Sequence, residues 1–176
     1  MIDAEKILKQ LKPDDTTDVE TLGLSGAINK RLYEITNDNK YLLKAIRFYS
    51  KGFHIGQDHY NGINYAFLLT LKATLQTDKI EAISYFRQSQ RIREEIVVIC
   101  KAIIEDKNFN DRNDKEWVYQ SLAQAYLSLN KKTELNKTIK IINQLSKGQF
   151  DIETFNIHNK KLIGYLDTLQ KKNNQR

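Results

Sequence analysis

Leu43-Lys44-Ala45-Ile46-Arg47-Phe48-Tyr49-Ser50-Lys51-Gly52 and Ile80-Glu81-Ala82-Ile83-Ser84-Tyr85-Phe86-Arg87-Gln88-Ser89 carry one pattern twice, at a constant offset of 37 residues. Each has a small residue (Ala45, Ala82), a ring four positions on (Tyr49, Phe86) and a second small residue three later (Gly52, Ser89). Residues three and four apart share a helix face, so each stretch presents a ring flanked by two small positions. The small positions let another helix approach, and the ring fills the space left between. A unit of this size that repeats is a supersecondary element stacked on copies of itself.

Working outward, apolar residues recur with helical spacing along almost the whole chain, and no segment alternates strictly enough for a half-buried strand. The spacing predicts helices over 19–35, 39–55, 59–75, 78–106, 114–129, 132–146 and 151–171. Short polar turns such as Thr36 to Asp38, Gly56 to Asp58 and Gln76 to Asp78 divide them. Turns this short make consecutive helices antiparallel neighbours. The A-x3-F-x2-A spacing of the two repeated stretches is the second-helix signature of a tetratricopeptide repeat. Gly26 and Ala66 suit the small position of a first helix, and Leu122, Ala123 and Tyr126 continue the pattern in a third hairpin whose second helix uses the larger Leu135, Ile139 and Ile142. The expected fold is all-α: a tetratricopeptide-like helical-hairpin solenoid of about three repeats with capping helices. Residues 1–18 form an N-terminal helix (Ala4, Ile7, Leu8, Leu11) ended by Pro13, with a polar link. Residues 19–150 hold the repeats, and residues 151–176 hold a capping helix and a basic tail. The 78–106 helix overhangs its neighbours with Ile92, Ile96, Val97, Cys100 and Ile103, and the final helix is expected to cover that face, a partner being the alternative.

Composition narrows the classes. With 176 residues the chain suits one domain with a core of its own, and the single cysteine, Cys100, excludes a disulfide framework. One proline, seven glycines and 40% hydrophobic residues exclude collagen-like and wholly disordered chains. No apolar stretch approaches the length of a membrane span, and acids interrupt Met1 to Thr16 where a secretory signal would be apolar, so a cytoplasmic protein is expected. The net charge of +6 lies entirely in residues 131–176, where 10 Lys and Arg face Glu134, Asp151, Glu153 and Asp167; residues 1–130 balance at 18 of each sign. A solvated, lysine-rich helix face explains the excess, and binding of phosphates is the alternative.

Three motifs succeed one another between residues 20 and 69: Glu20-Thr21-Leu22-Gly23-Leu24-Ser25-Gly26 ending in Lys30, then Ala45 to Phe53, then Tyr60-Asn61-Gly62-Ile63-Asn64-Tyr65-Ala66-Phe67-Leu68-Leu69. In this order they resemble the central regulatory region, the TRAFs-binding domain, of the apoptosis signal-regulating kinases and their bacterial tetratricopeptide-repeat relatives. The resemblance weakens beyond residue 69. It implies an all-helical scaffold or regulatory domain of signalling assemblies, without catalysis of its own.

First helices of tetratricopeptide hairpins line a concave groove. On that basis Asn29, Lys30, Tyr33, Asn61, Asn64, Tyr65, Gln120 and Gln124 are the candidate partner-binding residues, with rings supplying area and amides binding backbone. The partner is expected to be a protein, either a peptide or a helix. Gly23 and Gly26, three apart, mark close helix contact. His54 and His59 flank a turn but have no third metal ligand nearby, His158 stands apart as an exposed or capping residue, and Cys100 reads as a buried thiol. No phosphate-cradling loop, nucleophile elbow or zinc motif is present, so no enzyme, metal or cofactor is expected. In the nucleic-acid alternative, Arg87, Arg91, Arg93 and Lys101 join Lys137, Lys140, Lys160 and Lys161 in one basic face, interleaved with Tyr85 and Phe86.

Overall fold

Helix starts are written into the chain by aspartates. Asp18, Asp38, Asp58 and Asp78, each 20 residues after the last, are extended residues whose carboxylates accept from the backbone N–H groups of Thr21, Lys40, Asn61 and Glu81 at 2.8–2.9 Å. Each thereby satisfies one of the free donors of a first helical turn. The computed structural model, which describes residues 6, 7, 10, 12–145 and 149–174, accordingly has helices α1 (Val19–Thr36), α2 (Asn39–Gly56), α3 (His59–Leu75) and α4 (Lys79–Glu105). A 3-10 turn at Phe109–Asp111 comes next, then α5 (Lys115–Ser128), α6 (Lys132–Leu145) and α7 (Gln149–Asn174). Among the described residues there is no strand. Of the N-terminal helix expected around Ala4 to Leu11, Ala4, Leu8 and Leu11 lie outside the described residues, whereas Lys6, Ile7 and Gln10 are helical.

Helix ends are as local as the starts. α1 and α2 stop where Asn37 and Gln57 turn left-handed, at φ 54° and 49°, and their N–H groups bond back to Tyr33 O and Phe53 O. The chain therefore reverses within two or three residues, and α1 packs on α2, α3 on α4, α5 on α6, with α2–α3 and α4–α5 contacts joining the hairpins. This is the all-α, tetratricopeptide-like helical repeat fold.

Glycines set the closest approaches. A Cβ on Gly26 would stand 2.8 Å from the Tyr49 ring, and one on Gly62 would stand 2.7 Å from Phe53 and strike Ile96. The Tyr49 and Gly52 of the repeat signature are thus packed as the sequence implied: Tyr49 is fully buried beneath Gly26, and Gly52 admits the Asn61 side chain. The core runs through all three hairpins, with Leu42, Ala45, Phe53, Ala66, Leu68, Ile96, Cys100 and Val118 nearly devoid of solvent contact.

Two departures from expectation lie in and just beyond α4. The 27-residue helix spans about 40 Å, and its overhang packs against α3 and α5, with Ile96 over Gly62. The final helix, expected to cover that face, packs chiefly against α3 and α5. The connection from α4 to α5, expected to be a polar turn, buries Phe109 edge-on to Tyr119 with ring centroids 5.7 Å apart.

Candidate functional site

α1, α3 and α5 are the first helices of the three hairpins, and α7 lies along the face they share. Its apolar row (Phe155, Leu162, Leu169) is buried, at the helical spacing of seven that keeps one stripe inward. Phe155 joins Ala123 and Ile142 in a small apolar cluster. His158 stacks on Phe67 of α3 at 5.5 Å, and Tyr165 tilts against the same ring at 5.5 Å. Long side chains fasten the edges. Lys161 donates to Glu34 of α1 at 2.8 Å, and Lys172 donates to Thr74 O and Gln76 O at the end of α3, at 2.7 and 2.9 Å. The carbonyls at a helix C-terminus carry partial negative charge, so an ammonium suits that place.

Where α7 crosses, a cavity of about 220 Å³ remains between α1, α3, α5 and α7. Four of the expected groove residues meet there: Lys30, Asn64, Gln120 and Gln124. Lys30 donates to Asn64 Oδ1 at 2.9 Å, and Asn64 Nδ2 donates to Tyr60 O at 3.0 Å, so Asn64 both secures its own helix and holds the lysine. Burial pushes the Lys30 ammonium down to about 8, against the pull of Glu34, whose carboxylate is bonded to Lys161 and Arg31 instead. Tyr60 and Trp117, which are not among the expected groove residues, also line the cavity, with 41% and 45% of their surface exposed. His158, expected to be exposed or capping, is half-buried on this wall, and burial next to Lys30 and Lys161 holds it neutral, at about 4. Only the tertiary placement of α7 brings His158 here; no local signal does.

Ser121 forms part of the same wall. Its hydroxyl lies 3.0 Å from His59 Nδ1, and His59 Nε2 lies 3.6 Å from Asp114 Oδ2, which Arg112 grips through two bonds of 2.7 and 2.8 Å. Burial keeps the His59 imidazole below its usual range, overcoming Asp114. The order serine, histidine, carboxylate invites a catalytic reading, but Ser121 sits mid-helix in α5. Backbone N–H groups there are engaged in helix bonds and cannot stabilise an oxyanion. The array joins the start of α3 to α5.

The other four expected groove residues belong to the fold. Asn29 is 1% exposed and donates to Ser25 O, and Tyr33 is buried in the core. Asn61 fills the notch made by Gly23 and Gly52, donating to Val19 O at 3.2 Å and Asp58 at 2.9 Å. Tyr65 points toward α2 and α4, where its hydroxyl accepts from Gln88 at 2.8 Å and its ring meets His54. These four are buried because the polar face of a first helix is shared between the groove and the preceding hairpin.

Three further placements bear on chemistry. Among the described residues no three His, Cys, Asp or Glu side chains cluster as a metal site. Cys100 is a fully buried free thiol, pushed up to about 12 by burial. Arg93, placed by sequence on the flank of a basic face, is fully buried; Nη1 donates to Ser89 O at 3.2 Å, Nε and Nη2 have no protein partner, and burial lowers the guanidinium to about 9. No helix of the described residues is long and apolar enough to cross a membrane.

Residues 2–69 match a family model described as Tetratricopeptide Repeats-Sensor. The matched span takes in α1, α2 and most of α3, which contribute the Lys30, Tyr60 and Asn64 part of the cavity. No curated protein and no solved structure matches the chain. Stacked repeats of this kind generally serve as protein-interaction scaffolds through their concave surface.

Proposed function

We propose that this chain is a non-catalytic scaffold or regulatory domain of a signalling assembly, whose first-helix face receives a helical partner segment. The observation that carries this is α7 itself. A helix with an apolar row of Phe155, Leu162 and Leu169 and flanking lysines already occupies that face, so the face has the shape and chemistry to hold one. The partner helix then has the same pattern and replaces α7. Contacts such as Lys161–Glu34, partly solvent-exposed, fit an exchangeable seat, because exposed ion pairs contribute little. The motifs at residues 20–69 that resemble the regulatory region of the apoptosis signal-regulating kinases support the signalling context.

The test uses the full chain with Phe155→Ala and Leu162→Ala, which loosens α7, and a labelled peptide of residues 149–174. The peptide is expected to bind the loosened chain and not the wild type, and to compete with host proteins retained on the loosened chain. A folded double variant that binds neither removes the reading.

The alternative, an anionic ligand or nucleic acid on the C-terminal basic face, has less behind it. Of the expected basic face, Lys161 is engaged internally and Arg93 is buried, which leaves Arg87, Arg91, Lys101, Lys137, Lys140 and Lys160 exposed. Binding that falls about 10³-fold or more between roughly 50 and 200 mM salt would favour it.

A further inference from the structure

The cavity beneath α7 has a composition of its own. Its lining includes one full positive charge, Lys30, and no carboxylate among the described residues, while His158 stands neutral beside it. The nearest acid acting on Lys30 is Glu34, and its oxygens are bonded to Lys161 and Arg31. The largely buried ammonium is held by one amide oxygen and lies over the Phe67 ring, and Glu34 offsets its charge from a distance without bonding to it. Flat and apolar side chains line the same cavity: Trp117, Tyr60, Phe155 and Ile63. The Gln124 carboxamide and the Thr154 hydroxyl add hydrogen-bonding capacity.

Size selects the ligand further. A volume of about 220 Å³ is below the roughly 300–1,000 Å³ of drug-sized sites and accommodates about ten to twelve non-hydrogen atoms. The geometry points to a binding site for a small aromatic carboxylate, its carboxylate on Lys30 Nζ and its ring among Trp117, Tyr60 and Phe155. This inference stands on the cavity alone, not on the partner reading. Because α7 supplies Thr154, Phe155 and His158 to the wall, an occupied cavity also ties α7 to the stack.

Trp117 is the single tryptophan of the chain, so its fluorescence reports on this site alone. The probes are phenylacetate, its uncharged isostere phenylacetamide, and phenyl phosphate. Phenylacetate is expected to change Trp117 emission saturably, with a Kd of about 1 mM or tighter. Phenylacetamide should bind about tenfold more weakly or worse, having lost the charge-assisted bond. Phenyl phosphate binding tighter than phenylacetate would overturn the carboxylate assignment. Lys30→Met, which removes a buried charge and should fold, is expected to abolish the difference between acid and amide, and Lys30→Arg to keep part of it. Where Lys30→Met does not fold, amide chemical shifts in the wild type decide, because phenylacetate must then move resonances of α1, α3, α5 and α7 together. Absence of saturation at millimolar phenylacetate, equal binding of acid and amide, or an unchanged affinity in folded Lys30→Met each overturns the inference.

Discussion

In α1 to α4 close packing resides in single small residues, whereas α7 is held by long side chains that reach across it. Gly26 lies on the Tyr49 ring and Gly62 lies between Phe53 and Ile96, so in the first two hairpins large side chains rest directly on bare backbone. Gly164 of α7 has nothing within 4 Å of where its Cβ would stand; beyond the buried row of Phe155, Leu162 and Leu169, the edges of the helix are fastened by Lys161 and Lys172. A contact defined by a missing Cβ has one geometry. A contact made by a lysine on a carbonyl can be given up to water at small cost. The first two hairpins are therefore built to be fixed, and α7 is built to be attached.

The sharpest way to break this contrast is to add one methyl group to each region. Gly62→Ala forces the Phe53 ring and Ile96 apart and is expected to cost about 1–3 kcal/mol in chemical unfolding, as overpacking of a dense core does. Gly164→Ala meets open space in a helix interior and should instead stabilise by about 0.4–1 kcal/mol. Equal signs for the two would mean that α7 packs as tightly as the hairpins.

Acid should act on the α7 side. His158 is held neutral by burial and by Lys30 and Lys161, with Glu34 opposing them, and its value falls from about 6.5 to about 4. Between those values the unfolded chain binds more protons than the folded one, so stability is present at neutral pH and is lost as pH falls from about 6.5 to about 4. His158 contributes ~2 kcal/mol to that loss after allowance for its partial exposure. His158→Phe should flatten urea-derived stability over this window without abolishing the slope, because buried His59 is shifted in the same direction. An unchanged pH profile in His158→Phe would show that α7 does not shield that ring.

How far the sequence speaks depends on the same division. The spacing placed helix ends within a few residues, because Asp18, Asp38, Asp58 and Asp78 cap locally and Asn37 and Gln57 turn left-handed locally. The A-x3-F-x2-A signature foretold the buried ring of Tyr49 for a similar reason, since the hairpin register fixes it, although the second copy, Phe86, is only half-buried. The seat of α7 was not legible: its apolar row suits any apolar face, and nothing local distinguishes the α4 overhang from the first-helix face. Half of the expected groove residues lined the cavity. Asn29, Tyr33, Asn61 and Tyr65 did not, because periodicity assigns a residue to a stripe but not to the neighbour that covers it. Buried Arg93 defeats sequence reading outright, as charge places arginine outside by default.

Capping gives the smallest effect and the cleanest separation of the two regions. The Asp78 carboxylate accepts from Glu81 N–H at 2.8 Å, while Asp114, in the same place before α5, makes no cap bond and turns its carboxylate to Arg112 and His59. Asp78→Ala should cost about 1 kcal/mol, and Asp78→Asn, which keeps a side-chain oxygen, only a few tenths. Asp114→Ala loses a partly exposed pair with Arg112 and should cost about 0.5 kcal/mol or less. If Asp114→Ala proves the costlier of the two, the ties through His59 and Ser121 hold the third hairpin to α3 more firmly than a helix cap holds α4, and the attached region begins at α7 alone rather than at α5.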